Sequence, residues 1–206
     1  MFSIIQAAGW PIWPLLICSV IALALIIERF SSLRASRVAP TRLLDEVLGL
    51  TSQSLPTPDV VNRLAEHSLL GQVLAAGLRA VTSEPRLPAA KLQQVFELAG
   101  RRAIHQLERY LNTLGTIATA APLLGLLGTV VGMIEIFGSQ GSGAGGNPAQ
   151  MAHGISVALY NTALGLMVAI PSLMFYRYFR GRVEEYVLEL EQSSDRMLSH
   201  LQRFTG

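Results

Sequence analysis

The sequence predicts an all-α membrane protein with three transmembrane helices, two of them extended into the cytoplasm, and a small helical cytoplasmic domain. Three observations predict this class. Half of the 206 residues are hydrophobic and only 15% are charged, too apolar a balance for a soluble domain of this length. Three apolar runs are each long enough to cross a hydrocarbon core of about 30 Å at about 1.5 Å per residue. The basic residues gather beside those runs. With a net charge of only +2, that placement argues against a nucleic-acid partner, which needs cations collected on one surface.

Residues 1–8 form a short N-terminal segment, and the first span is predicted at 9–29. No charged side chain occurs before Glu28, and Pro14 to Ile27 is almost wholly apolar. A cleaved signal peptide is the competing reading. It calls for a basic start and a small-residue cleavage site, and neither is present, so no cleavage is expected. Cys18, the single cysteine, lies inside this run. It offers neither an intramolecular disulfide nor a thiolate cluster for a metal.

Residues 30–112 carry helical rather than alternating periodicity and are predicted as the cytoplasmic domain. Leu43, Leu44, Val47 and Leu48 open it at one-turn spacing. Thr57 before Pro58 marks a helix start that should run through Leu64, Leu74 and Leu78 to about Val81. Ser83 to Pro88 then breaks it. From Pro88 the pattern Leu92, Val95, Phe96, Ala99, Ala103, Ile104, Leu107 and Leu111 predicts one helix continuing into the second span.

The second span is predicted at 113–137 and the third at 151–179. Each contains a proline, Pro122 and Pro171. Membrane helices tolerate proline where packing partners, hydroxyls or water satisfy the freed carbonyls. The glycine-rich connection within 138–150 lacks the lysine of a phosphate-binding loop and is read as a flexible turn. Residues 180–206 continue as a cytoplasmic helix. There Val183, Val187, Leu190, Ser194, Met197, Leu201 and Phe204 form a heptad seam. Packing between subunits and packing within one subunit both remain open for it.

Arginine placement sets the expected orientation. Arg29, Arg34, Arg37 and Arg42 follow span one, Arg101, Arg102 and Arg109 precede span two, and Arg177, Arg180 and Arg182 follow span three. Those flanks are predicted cytoplasmic, while the N-terminus and the glycine-rich turn, without lysine or arginine, fall on the opposite, periplasmic side.

Lipid gives membrane helices no hydrophobic reason to associate, so close packing depends on small residues. Span two offers Gly125, Gly128 and Gly132, and span three offers Ala158 and Gly165, at helical spacing. These, with Pro122 and Pro171, are the predicted packing residues. Spans two and three should form a packed inner wall, with bulky span one toward lipid. Polar groups inside a bilayer are costly and therefore functional candidates. The candidates are Thr129, Asn161 and Thr162, together with Glu135, the one carboxylate in spans two and three, near a helix end. A threonine can also bond a carbonyl one turn back, which is the expectation for Thr119. His67, His105, His153 and His200 are scattered over different elements without carboxylates at ligand spacing. No enzymatic activity, cofactor or metal is expected.

Span two, Ala121-Pro-Leu-Leu-Gly-Leu-Leu-Gly-Thr-Val-Val-Gly-Met-Ile134 followed by Glu135-Ile-Phe137, resembles the signature of the MotA/TolQ/ExbB proton-channel family. Span three resembles the second family block in its Ala-Leu, Thr-Ala, Gly-Leu and Ala-Ile-Pro elements. Three spans with a periplasmic N-terminus are most similar to ExbB and TolQ. The resemblance implies a homo-pentamer around a pore that holds two copies of a single-span ExbD-like or TolR-like partner. That motor would convert proton motive force into work on a TonB-like periplasm-spanning protein. It also implies that Thr129 and Thr162, matching family threonines, line the pore beside a partner aspartate. One position departs: Val157 stands where family members often carry glutamate. Three readings follow, in order of preference. The partner aspartate suffices, or Glu135 supplies a charge elsewhere on the path, or the chain is a non-conducting scaffold.

Overall fold

The computed structural model describes residues 10–52, 54–84, 86–140 and 148–204. Among these residues the secondary structure is helical throughout. In chain order the helices are α1 (Ile12–Ser32), α2 (Ala35–Val38), α3 (Leu43–Thr51), α4 (Pro58–His67), α5 (Leu69–Ser83), α6 (Ala89–Glu108), α7 (Leu111–Gln140) and α8 (Pro148–Leu201), with a closing 3₁₀ turn at Gln202–Phe204. The N-terminal segment 1–8 and most of the glycine-rich turn lie outside the described residues.

Three stretches are long and apolar enough to cross a membrane: Ile12–Ser32, Ala89–Gly138 and Gly154–Phe204. Each overlaps one of the three predicted spans. The chain divides into two compact units. One comprises Met1–Glu28 with Tyr110–Tyr178, the other Arg29–Arg109 with Phe179–Gly206.

In the first unit, α1 buries one stripe, Ile12, Leu15, Ala22 and Ile26, and leaves Trp13, Ile17, Val20, Leu23 and Ile27 exposed. Leu15 packs with Ala121 and Ala169, and Leu124, Leu164 and Val168 surround that cluster. Span one therefore has a packed stripe and a broad apolar remainder. Pro122 and Pro171 both lie inside helices, where each removes the hydrogen bond to the carbonyl four residues back, that of Ala118 and of Met167.

The second unit is a helical domain with its own core. Leu74, Ala75, Val81, Leu92, Met197 and Leu201 are fully buried. The predicted helix from Pro58 to about Val81 is two helices. Ser68 is extended (φ −160°, ψ 167°), ends α4, and caps α5 by accepting a hydrogen bond from Gly71 N at 3.0 Å. A serine ahead of an apolar run satisfies one of the first free N–H groups of the next helix, which competes with continuing the previous one. Gly71 then allows a close crossing, since a methyl there would lie 2.1 Å from Leu64 O. Gly77 leaves the space occupied by the Phe96 ring, which a methyl would meet at 2.2 Å.

A second correction concerns the helix expected to run from Pro88 into span two. It is interrupted at Arg109–Tyr110, where Tyr110 has φ 64°, the left-handed region that costs an L-residue roughly 1–2 kcal/mol. Arg29, 2% exposed, donates to Leu107 O at 3.1 Å. That carbonyl lies in the last turn of α6, where carbonyls lack a partner within the helix.

Part of the seam packs within the chain: Val183, Leu190, Met197 and Leu201 are buried in the second unit, as is the neighbouring Tyr186, whereas Val187, Ser194 and Phe204 are only partly buried. Tyr186 donates to Leu33 O at 2.9 Å and accepts from Arg182 at 2.8 Å. Its hydroxyl and the nearby Glu185 carboxylate raise the Arg182 pKa above its ordinary value, against a smaller opposing effect of burial. Phe30 meets Phe179 edge to face, with centroids 5.0 Å apart. Thr51 Oγ1 donates to Val47 O at 2.8 Å and lies 3.0 Å from His200 Nε2, tying α3 to the end of α8.

Candidate functional site

The site is built on the contact between α7 and α8 in the first unit. A methyl on Gly125 would lie 2.8 Å from Asn161 O and 3.0 Å from Thr162 Cα. One on Gly165 would lie 2.6 Å from Ala121 O, and one on Gly128 would lie 2.6 Å from Asn161 Cβ. Gly132 faces Ala158 at 3.2 Å. As position rises along α7 its partner on α8 falls, so the helices are antiparallel. The predicted residues Gly125, Gly128, Gly132, Ala158 and Gly165 are all in this one contact, where the missing side chains let the backbones meet.

Helical geometry places the polar candidates around that contact. Thr129 lies four residues after Gly125, and Thr162 three residues before Gly165. At about 100° per residue these are offsets of about 40° and about 60° in the same rotational sense. On antiparallel helices, equal sense means the same flank. Thr129 and Thr162 therefore share one side of the pair. Glu135 and Asn161 are set off the other way, by about 80° from Gly125 and about 40° from Gly165. Leu124, Leu164 and Val168, which pack with Leu15 of α1, lie on that second side too. The structure separates the predicted quartet into two pairs.

The threonine flank is free of α1 within this chain. Leu126, Val130, Leu159 and Leu166 are exposed along it. Thr129 opens onto a shallow groove of about 530 Å³ with Val130, Met133, Ile134 and Phe137. Thr129 Oγ1 donates to Leu126 O at 2.7 Å, and Thr162 Oγ1 donates across the contact to Gly125 O at 3.3 Å. Each hydroxyl places its own proton and keeps oxygen lone pairs for an outside donor such as water. Asn161 is only 2% exposed, with its side chain against Gly128. Glu135 is exposed on its flank. Thr119 bonds Gly115 O and Thr116 O, as expected. The side chain of Val157 lies outside the described residues.

Sequence reasoning missed Arg29 as a buried group. Its signal was faint, a single arginine directly after an apolar run that reads equally as an interfacial charge. The bond from Thr162 to Gly125 O was also unforeseen, because register between two helices is not written in either one.

The fold and this site define a class first: a helical multi-span protein in which small residues join two of three apolar helices and hydroxyls line one side of the joint. The chain belongs to the MotA/TolQ/ExbB proton channel family, whose profile matches residues 65–192. It is 34% identical over 191 residues to a putative biopolymer transport protein, ExbB-like 3, of Synechocystis, covering 91% of this chain and 89% of that one. It is 31% identical over 170 residues to biopolymer transport protein exbB1 of Vibrio cholerae, covering 82% and 74%. The Tol-Pal system protein TolQ of Haemophilus influenzae is 37% identical over 90 residues, covering 44% and 40%.

Proposed function

We propose that the chain is the ExbB-like subunit of an inner-membrane motor that converts proton motive force into work for TonB-dependent outer-membrane transport. In this reading five copies surround two single-span ExbD-like helices, with the N-terminus periplasmic and the C-terminus cytoplasmic. The observation that carries it is the placement of Thr129 and Thr162 on one flank of the α7–α8 pair, clear of α1. Two hydroxyls with lone pairs to spare, on an otherwise apolar surface, suit a path on which water hands protons to and from a partner carboxylate. Glu135, on the other flank, is a secondary charge.

The arginine bias supports the orientation, and similarity to ExbB-named proteins over most of the chain supports the ExbB client over the TolQ one. The shorter match to a TolQ keeps envelope maintenance as the second reading. Co-expression with an aspartate-bearing single-span partner tests the proposal. Native mass should give five chains with two partners, and Thr162→Val should abolish proton flux in vesicles while leaving that mass unchanged. A partner-free oligomer, or undiminished flux in the variant, would turn the reading toward a non-conducting scaffold.

A further inference from the structure

A second polar site lies in the other unit. A cavity of about 370 Å³ is lined by Ser32, Arg37, Glu66, His67, Gln72 and Gln106, among others. None of these six side chains makes a hydrogen bond or ion pair among the described residues. Arg37 and Glu66 are of opposite charge and border the same cavity, yet they form no ion pair with each other. Ser32 is half-buried and the other five are exposed, and a surface pocket bordered by an unpaired cation and an unpaired anion, together with amides and a hydroxyl, is complementary to a ligand bearing both charges.

Its position narrows the ligand further. Ser32 is the last residue of α1 and stands three residues beyond Arg29, which ends the apolar run. At about 1.5 Å per residue the cavity wall begins about 5 Å from the hydrocarbon edge, within the headgroup layer of roughly 5–8 Å. This step rests on reading α1 as a membrane span.

We propose that this cavity binds the phosphoethanolamine headgroup of a membrane phospholipid. The Arg37 guanidinium takes the phosphate oxygens as a charge-assisted donor. The Glu66 carboxylate accepts from the primary ammonium, and Gln72 and Gln106 reach the remaining oxygens. A quaternary choline ammonium has no N–H to donate to Glu66, and a glycerol headgroup has no positive charge for it.

The test uses the full-length complex in nanodiscs containing equal parts phosphatidylethanolamine, phosphatidylcholine and phosphatidylglycerol, with retained lipid read by native mass spectrometry. Phosphatidylethanolamine should be retained above the other two, and Arg37→Ala and Glu66→Gln should each reduce its occupancy about tenfold, the loss of one charged contact. Unchanged occupancy in both variants overturns the site. Retention of phosphatidylglycerol, sensitive to Arg37→Ala alone, overturns the zwitterionic assignment. Full displacement by soluble glycerophosphoethanolamine overturns the lipid source. Thr162→Val serves as the control, losing flux while its lipid retention stays unchanged, so failure of the motor reading and failure of this one are separately visible.

Discussion

Gly125 and Gly165 meet backbone to backbone: a methyl on Gly165 would lie 3.1 Å from Gly125 Cα, and one on Gly125 would lie 3.3 Å from Gly165 Cα. Neither neighbour is the end of a flexible side chain, so an added carbon must move a helix.

Gly165→Ala is therefore expected to cost about 1–3 kcal/mol, the usual range for overpacking, seen as a lower thermal midpoint of the detergent-solubilised protein. Gly181→Ala is the matched control on the same helix. Nothing lies within 4 Å of its added methyl, and exchange of a helical glycine for alanine should gain up to about 1 kcal/mol.

The same contrast can be drawn in the helical domain. Gly77→Ala drives a methyl into the Phe96 ring at 2.2 Å, whereas Gly100→Ala enters open space. The first should lower the midpoint by the equivalent of about 1–3 kcal/mol and the second should hold or raise it. Equal midpoints would mean that Phe96 does not occupy the Gly77 notch.

At the interruption between α6 and α7, Tyr110→Gly should stay within about 1 kcal/mol of the parent, because relief of the left-handed backbone offsets the lost side chain. Tyr110→Pro should cost about 3 kcal/mol or more, since its ring holds φ near −65° and cannot reach the observed 64°. Chemical denaturation of the two variants side by side measures the difference.

The division of the polar residues predicts a labelling pattern. Cys18 is the single cysteine, so Cys18→Ser gives a clean background. In it, Thr129→Cys and Thr162→Cys should both become protected from a thiol reagent when the single-span partner is co-expressed. Glu135→Cys, on the other flank, should label at the same rate with and without partner. Protection of Glu135→Cys alone would place the partner on the wrong side.

The spans were legible because length and apolarity leave few alternatives, and the small residues pointed to the α7–α8 contact because little else brings helices together in lipid. What stayed hidden has physical causes. The break at Ser68 sits between two apolar patterns that continue each other in phase, so periodicity carries straight through it. Tyr110 is neither glycine nor proline, and a left-handed tyrosine leaves no mark in sequence. The seam of α8 has a spacing that serves a neighbour or its own subunit equally well, and only the folded chain shows that Val183, Leu190, Met197 and Leu201 turn inward. Asn161 and Thr162 are adjacent, and only the register between two helices assigns them to opposite flanks.

The way the chain is divided bears on how it is made. Each compact unit consists of two stretches separated in sequence, and the second stretch of both lies within or after the final spans: Tyr110–Tyr178 completes one, and Phe179–Gly206 the other. During synthesis the chain therefore has to hold residues 29–109 as an unfinished domain while two more spans are threaded into the bilayer. Its core closes only when the last residues leave the ribosome, so a chain stopped shortly after Tyr178 would carry every span and still lack Val183, Tyr186, Leu190, Met197 and Leu201 from the core of its second unit, leaving that unit open to the quality-control proteases of the cell.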